Sequence, residues 1–214
     1  MRVVAVVSLV ATSLVGCSGI TSVPYQEPAQ SEHTARVRII TNSTVYGDSL
    51  PGNCAPANRH KMAQAGRFSE EGTASINYPQ FPLAPASLGM PNRVSPKLLQ
   101  YLGATRMAEG LYTELVTEYR VRTDVPFLIE MPEVSIGSYG STYSSCSGKA
   151  LAYTLTPGKD YEVLAGIGSG RNKEGAEVIM CMLGVSELVT LPNTKIAFAK
   201  QVMPAQAPQT VCAK

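Results

Sequence analysis

The stretch ARVRIITNSTVYGDSLPGN (residues 35–53) sets the terms for the fold. In its first half Arg36 and Arg38 alternate with Val37 and Ile39, the period of two of a half-buried β-strand. Val37, Ile39 and Ile40 are β-branched and favour the same conformation. Thr44-Val45-Tyr46 predicts a second short strand, and Gly47-Asp48 and Pro51-Gly52-Asn53 are turn chemistry. The alternation returns in Glu118-Tyr119-Arg120-Val121-Arg122. Residues 127–131, 151–155, 161–167 and 176–185 predict further strands, with turns at Asp124, 156–160 and 168–172, and 189–196 adds an edge strand. Strands and turns at such regular intervals predict a mainly β fold: an antiparallel β-sandwich of Ig-like or transthyretin-like type.

One region departs from this pattern. From Ala55 to about Pro96 the periodicity disappears, and Pro79, Pro82, Pro85, Pro91 and Pro96 break any long element. A short helix is expected near 60–66. Ser95-Pro96 reads as an N-cap followed by proline at the first helical position. Leu98, Leu99, Leu102, Met107, Leu111 and Leu115 follow at helical spacing, so one or two short helices are expected between Pro96 and Val116.

The N-terminus carries an address. Met1-Arg2 is a basic start, and 3–15 is an apolar run broken only by Ser8, Thr12 and Ser13. That run is too short for a spanning helix, which needs about 20 residues, and fits the hydrophobic region of a secretory signal. It ends in Leu14-Val15-Gly16-Cys17, which resembles the lipobox of bacterial lipoproteins. The resemblance implies that 1–16 is removed, that Cys17 is lipidated, and that the chain is held to the membrane through that lipid. Ser18, rather than aspartate, after the cysteine implies the outer membrane, and the periplasmic face is expected. Residues 17–34, polar with Pro24 and Pro28, read as a flexible tether. The body is then a domain over 35–203, with an irregular and helical insertion over about 55–117 and a tail over 204–214.

Composition narrows the function classes. Eighteen basic residues against sixteen acidic ones give no case for nucleic-acid binding, and tryptophan is absent. Apart from Cys17, four cysteines remain: Cys54, Cys146, Cys181 and Cys212. An even number in an exported chain predicts two disulfides, for which three connectivities exist and the sequence does not choose. We favour Cys146 with Cys181 and Cys54 with Cys212, since the second pair would staple the tail onto the domain. No Cys-x-x-Cys pair exists, and neither His33 nor His60 stands at ligand spacing from a cysteine, so no metal or cofactor is expected.

Gly47-Asp48-Ser49-Leu50 matches the signature of the GDSL esterases, whose serine is a nucleophile. A serine needs a base to take its proton. In that family the base is a histidine near the C-terminus, three residues after an aspartate, and a Gly-x-Asn-Asp block helps bind the oxyanion. Here no histidine follows His60, no aspartate follows Asp160, and the block is missing. Asp48-Ser49 is therefore expected to serve a hairpin turn, His33 and His60 to be surface residues, and the chain not to be an enzyme. Gly166-Ile167-Gly168 lacks the following amphipathic helix of a dinucleotide site and reads as a turn.

The lipobox and tether, TARVRIITNSTVYG with Cys54 soon after, SLGMP (87–91), SSCSG around Cys146, TPGKDYEV (156–163) and a strand carrying Cys181 together are similar to a group of small proteobacterial cell-envelope lipoproteins. The resemblance implies an envelope location and a β-sandwich, and brings no catalytic residues to transfer. A second likeness, of architecture alone, is to the small outer-membrane lipoprotein of type VI secretion, an assembly component. The implied partner is another envelope protein. Tyr139 and Tyr143, in the Gly/Ser loop 137–148, are the candidate binding residues, because tyrosines give contact area at little entropy cost. A glycan or other small ligand is the alternative.

Overall fold

The structure is a computed structural model and describes residues 22–52, 54–68, 76–93, 104–106, 115–136, 144–208 and 210–212. Two seven-stranded sheets carry the described residues. The first holds β1 (Ser22–Pro24), β3 (Thr44–Ser49), β4 (Arg59–Phe68), β5 (Ile76–Phe81), β9 (Phe127–Met131), β12 (Lys149–Tyr153) and β16 (Ala205–Gln206), in the order β1-β4-β3-β9-β12-β16 with β5 also on β4. The second holds β2 (Thr34–Thr41), β6 (Asn92–Arg93), β7 (Ala104–Arg106), β8 (Leu115–Arg122), β13 (Asp160–Arg171), β14 (Glu177–Thr190) and β15 (Ile196–Val202), in the order β6-β15-β14-β13-β2-β8 with β7 on β13. β10 (Val134–Ile136) and β11 (Ser144–Cys146) form a separate pair.

The alternation in β2 does what the sequence predicts on one face. Val37 and Ile39 are buried in a core shared with Val45, Met62, Phe127, Ile129, Met131, Tyr153, Tyr161, Val163 and Val185, drawn from both sheets. Each such side chain contributes about 1.5–3 kcal/mol when fully buried. The chain passes from β2 to β3, and so between sheets, through Asn42-Ser43 alone. There the Asn42 side chain continues the ladder: its Nδ2 donates to the Ile167 carbonyl at 2.7 Å and its Oδ1 accepts from the Ile167 amide at 3.0 Å.

The other face of β2 is not solvated. Arg38 is 8 % exposed. Glu118 on β8 and Glu162 on β13 stand directly opposite it. Its Nε and Nη2 donate to Glu118 Oε1 at 3.0 and 2.8 Å, and Nη1 reaches Glu162 Oε2 at 3.4 Å. A strap over 86–93 closes above it. The carbonyls of Met90 and Pro91 accept from Arg38 at 3.1 Å, the Leu88 and Met90 amides donate to Glu118 Oε2, and Arg93 pairs with Glu162. Met90 itself packs on Leu188 and Ala197. One row along, Arg36 grips Asp160 with two bonds of 2.6 and 2.7 Å and donates to the Leu88 carbonyl.

Several expectations are corrected. The sheets are mixed: β2 pairs with β13, β1 with β4 and β6 with β15 in parallel, where an antiparallel meander was expected. The expected helix over 60–66 is strand β4. Its alternation is hidden because the β3–β4 register shifts at Val45/Tyr46, so Met62 and Ala63 are consecutive yet both 0 % exposed. No helix occurs among the described residues. The helices expected between Pro96 and Val116 fall mostly on 94–103 and 107–114, outside the described residues, while 104–106 is strand β7. The tether is shorter than expected, since Ser22–Pro24 already pairs with β4. β13 runs through the expected turn at 168–172, and the chain reverses at 172–175, where Gly175 has φ +81° and Asn172 Oδ1 accepts from the Glu174 and Ala176 amides. Val189 lies within β14, which runs to Thr190, rather than opening an edge strand, and the turn before β15 places Asn193 at φ 60°. The tail is tied down by β16 and by a parallel bridge of Val211 to Ala55.

Both disulfides are present, Cys54–Cys212 and Cys146–Cys181, the connectivity favoured above. They close separations of 158 and 35 residues, worth about 5 and about 4 kcal/mol on a chain-entropy model.

Burial alone would raise the Glu118 carboxyl, but the Leu88 amide, Arg38 and the Met90 amide outweigh it and hold the group below its ordinary 4.5. Its stabilisation is therefore complete above pH 4.5 and lost as pH falls through the lower folded pKa. Replacing Glu118 with alanine leaves Arg38 without its best partner and is expected to cost about 3–5 kcal/mol at neutral pH. The deficit should shrink in acid, where the wild type loses the same interaction; urea titrations at neutral pH and well below 4.5 check both.

Candidate functional site

At the end of the first sheet where β1 and β4 begin, the described residues enclose a cleft of about 550 Å³. Four pieces of chain build it. β3 supplies Asp48 and Ser49, and the segment after it supplies Pro51, Cys54, Pro56 and Ala57. His60 comes from the first turn of pairing in β4, Tyr25, Gln26 and Pro28 from the chain leaving β1. Arg122 and Cys212 complete the lining, so the Cys54–Cys212 bridge is part of the wall.

Each wall has a local cause. Gly47 lets β3 lie against the core: a Cβ there would meet the Met62 sulfur and come within 2.8 Å of Phe127. The glycine of the GDSL tetrapeptide thus answers a packing need. Tyr25 closes the inner side. Its ring stands edge-on to Tyr119 and Phe127, with centroids 5.6 and 6.0 Å away, its hydroxyl donates to the Arg120 carbonyl and its amide to that of Lys61. Burial pushes the Tyr25 and Tyr119 phenols up, so neither ionises near neutrality.

The polar floor is Asp48 with His60. The Asp48 side chain is 1 % exposed, and His60 Nδ1 lies 2.5 Å from its Oδ1. Its other oxygen, Oδ2, is buried with no hydrogen-bond partner. Neighbouring charges are engaged elsewhere: Arg59 with Glu130 at 2.5 Å and with the Pro56 carbonyl, and Arg122 with Asp124 at 2.5 Å. Burial raises the Asp48 carboxyl above its ordinary 3.8, and the bond and charge of His60, the charge of Arg59 and the His60 backbone N–H recover only part of that shift.

Asp48-Ser49 is therefore not turn chemistry but the end of a strand, pairing with Leu128 and Phe127 of β9. His60 is not a free surface residue. The pair was missed because twelve positions separate its members and the shifted β3–β4 register hides their adjacency. Ser49 also lines the cleft, yet it neighbours Asp48 in an extended strand, whose successive side chains leave on opposite faces. No hydrogen bond joins Ser49 to His60 among the described residues, and His60 Nδ1 is taken by Asp48. His33, the other histidine, is exposed beside Glu32. Among the described residues no three His, Cys, Asp or Glu side chains gather as a metal site. Cys17, Tyr139 and Tyr143 lie outside the described residues. No family model, no curated protein and no solved structure matches the chain.

A raised carboxyl has a stability consequence. Between 3.8 and its folded pKa, the folded Asp48 keeps a proton that the unfolded chain has lost. The penalty for burying the charge thus grows as pH rises through that window and is complete above it. The melting temperature of Asp48→Asn minus that of the wild type is expected to increase as pH rises from 3.8 through the raised folded pKa. A pH series of thermal melts on both proteins measures it.

Proposed function

We propose that this chain is an outer-membrane-anchored lipoprotein of the periplasmic face that binds another cell-envelope component without catalysis. On this reading its two sheets form an Ig-like or transthyretin-like sandwich, carried on a lipid at Cys17. The observation that carries the reading is the cysteine arithmetic. Of five cysteines, four are joined in two disulfides, as suits an oxidising compartment, and the fifth is Cys17, at the end of an apolar run in Leu14-Val15-Gly16-Cys17. The partner is another envelope protein, met through the loop of Tyr139 and Tyr143 together with 58–93.

The alternative, an envelope module for a glycan or other small ligand, draws support from the cleft, whose volume is within the range of small-molecule sites. Two measurements separate these readings. The mass of the mature N-terminus should show a diacylglyceryl adduct on Cys17, and Cys17→Ser should leave the membrane fraction; an unmodified Cys17 would sink the anchor. Crosslinking in the native cells should then capture one dominant envelope protein. Recovery of glycan or lipid alone would transfer the role to the ligand reading.

A further inference from the structure

We propose that the Asp48–His60 cleft is a binding site for a primary ammonium group on a short alkyl stem. Four observations lead there. The cleft is built, with three prolines and a disulfide among its walls. Its floor is a carboxylate whose side chain is 1 % exposed. One oxygen of that carboxylate is satisfied by His60 and the other, Oδ2, by nothing. A buried acceptor left unmade costs more than an average hydrogen bond returns, so a donor delivered through the cleft gains both the bond and the charge match. Finally, the nearby cations have their own partners and do not compete: Arg59 is held by Glu130 and Arg122 by Asp124.

The geometry also selects among donors. A guanidinium is a planar fork that wants two acceptors side by side, and only one oxygen of Asp48 is unpaired. A quaternary ammonium has charge but no N–H, and leaves Oδ2 unpaired. A neutral hydroxyl makes the bond but leaves the charge unmatched. A primary ammonium is a compact charge with three donors on a flexible stem, and its methylenes can lie along Pro51, Pro56 and Ala57.

Two sources carry this chemistry: the amine head group of a membrane lipid, and a soluble amine. The lipid source rests on the anchor proposed above; ammonium binding itself does not. If Cys17 is lipidated, only five positions separate it from Ser22, where β1 begins. Those residues reach at most about 18 Å. The β1 end of the first sheet, which is the cleft end, then sits at head-group distance.

The test uses the two histidines of the chain as reporters, one in the cleft and one, His33, as an exposed reference. The whole protein is labelled with ¹³C at the histidine rings and placed in phosphatidylcholine bicelles, whose quaternary head groups offer no N–H. Propylammonium chloride is expected to shift the His60 signal saturably, with a dissociation constant of roughly millimolar order, and to leave His33 unmoved. Tetramethylammonium at equal ionic strength should move neither. Asp48→Asn should weaken the response at least about tenfold. Ala57→Trp, which narrows the cleft from an exposed position without touching the floor, should do the same if the Asn variant does not fold. Replacing a quarter of the phosphatidylcholine with phosphatidylethanolamine then assigns the source: a His60 shift without added amine means the lipid, and none means a soluble amine. A His60 signal that ignores propylammonium, or answers both salts alike, means that Oδ2 is served by water alone and overturns the proposal. An unmodified Cys17 would remove the lipid source and leave the propylammonium result standing.

Discussion

The second sheet is organised around one guanidinium. Arg38 sits in the middle of β2 with an acid on each neighbouring strand, and the strap over 86–93 lays its carbonyls and amides onto the same cluster. Counting the adjacent row, Arg36, Arg38 and Arg93 face Glu118, Glu162 and Asp160, three charges against three. Burying such groups is favourable only when every one is matched. That requirement makes the cluster a register key. A one-residue slip of β2 would turn Arg38 toward the core and Ile39 toward the acids. The parallel pairing of β2 with β13, between strands far apart in sequence, has no hairpin to set it and relies on this side-chain complementarity.

This arrangement explains which parts of the fold could be read in the sequence. β2, β8, β9 and the β13–β14 hairpin were legible because they are regular, and the burial of Val37, Ile39, Tyr119 and Val121 follows their alternation. The paired cysteines were legible from compartment chemistry. β4 was not, because a register shift places Met62 and Ala63 side by side in the interior and erases the period. The cover over Arg38 was equally hidden: an arginine in an alternating strand looks solvent-facing until a distant strap is known to lie on it. The cleft was the least legible feature. Its floor joins the aspartate of a tetrapeptide that suggested an esterase to a histidine that seemed to stand alone, and only the β3–β4 pairing unites them.

The two polar sites follow different designs. Around Arg38 every acid has a guanidinium partner, and among the described residues the one buried side-chain atom left unmatched there is the donor Arg93 Nε. At Asp48 one buried oxygen is unmatched, and the residue lines a cleft walled by proline and a disulfide. The contrast separates a cluster that specifies the fold from one that retains capacity for something outside it. The edge strand β8 shows the first design again. Its Glu118 amide donates to the Ala86 carbonyl and its Arg120 amide to the Glu27 carboxylate, so these outward N–H groups are occupied and closed to strand addition.

The way β1 enters the sheet bears on how the molecule carries force. β1 runs parallel to β4 for three residues, with Ser22 beside Arg59 and Pro24 beside Lys61. A pull on the chain before Ser22, along the strand, loads these pairs together in shear instead of peeling them singly. Behind them Tyr25 acts as a stop, its ring lodged between Tyr119 and Phe127 and its amide held by Lys61. Tension on the chain before Ser22 would therefore be borne first by an aromatic plug on the inner side of the cleft, and giving way there would open that wall before any disulfide-linked part of the fold was strained.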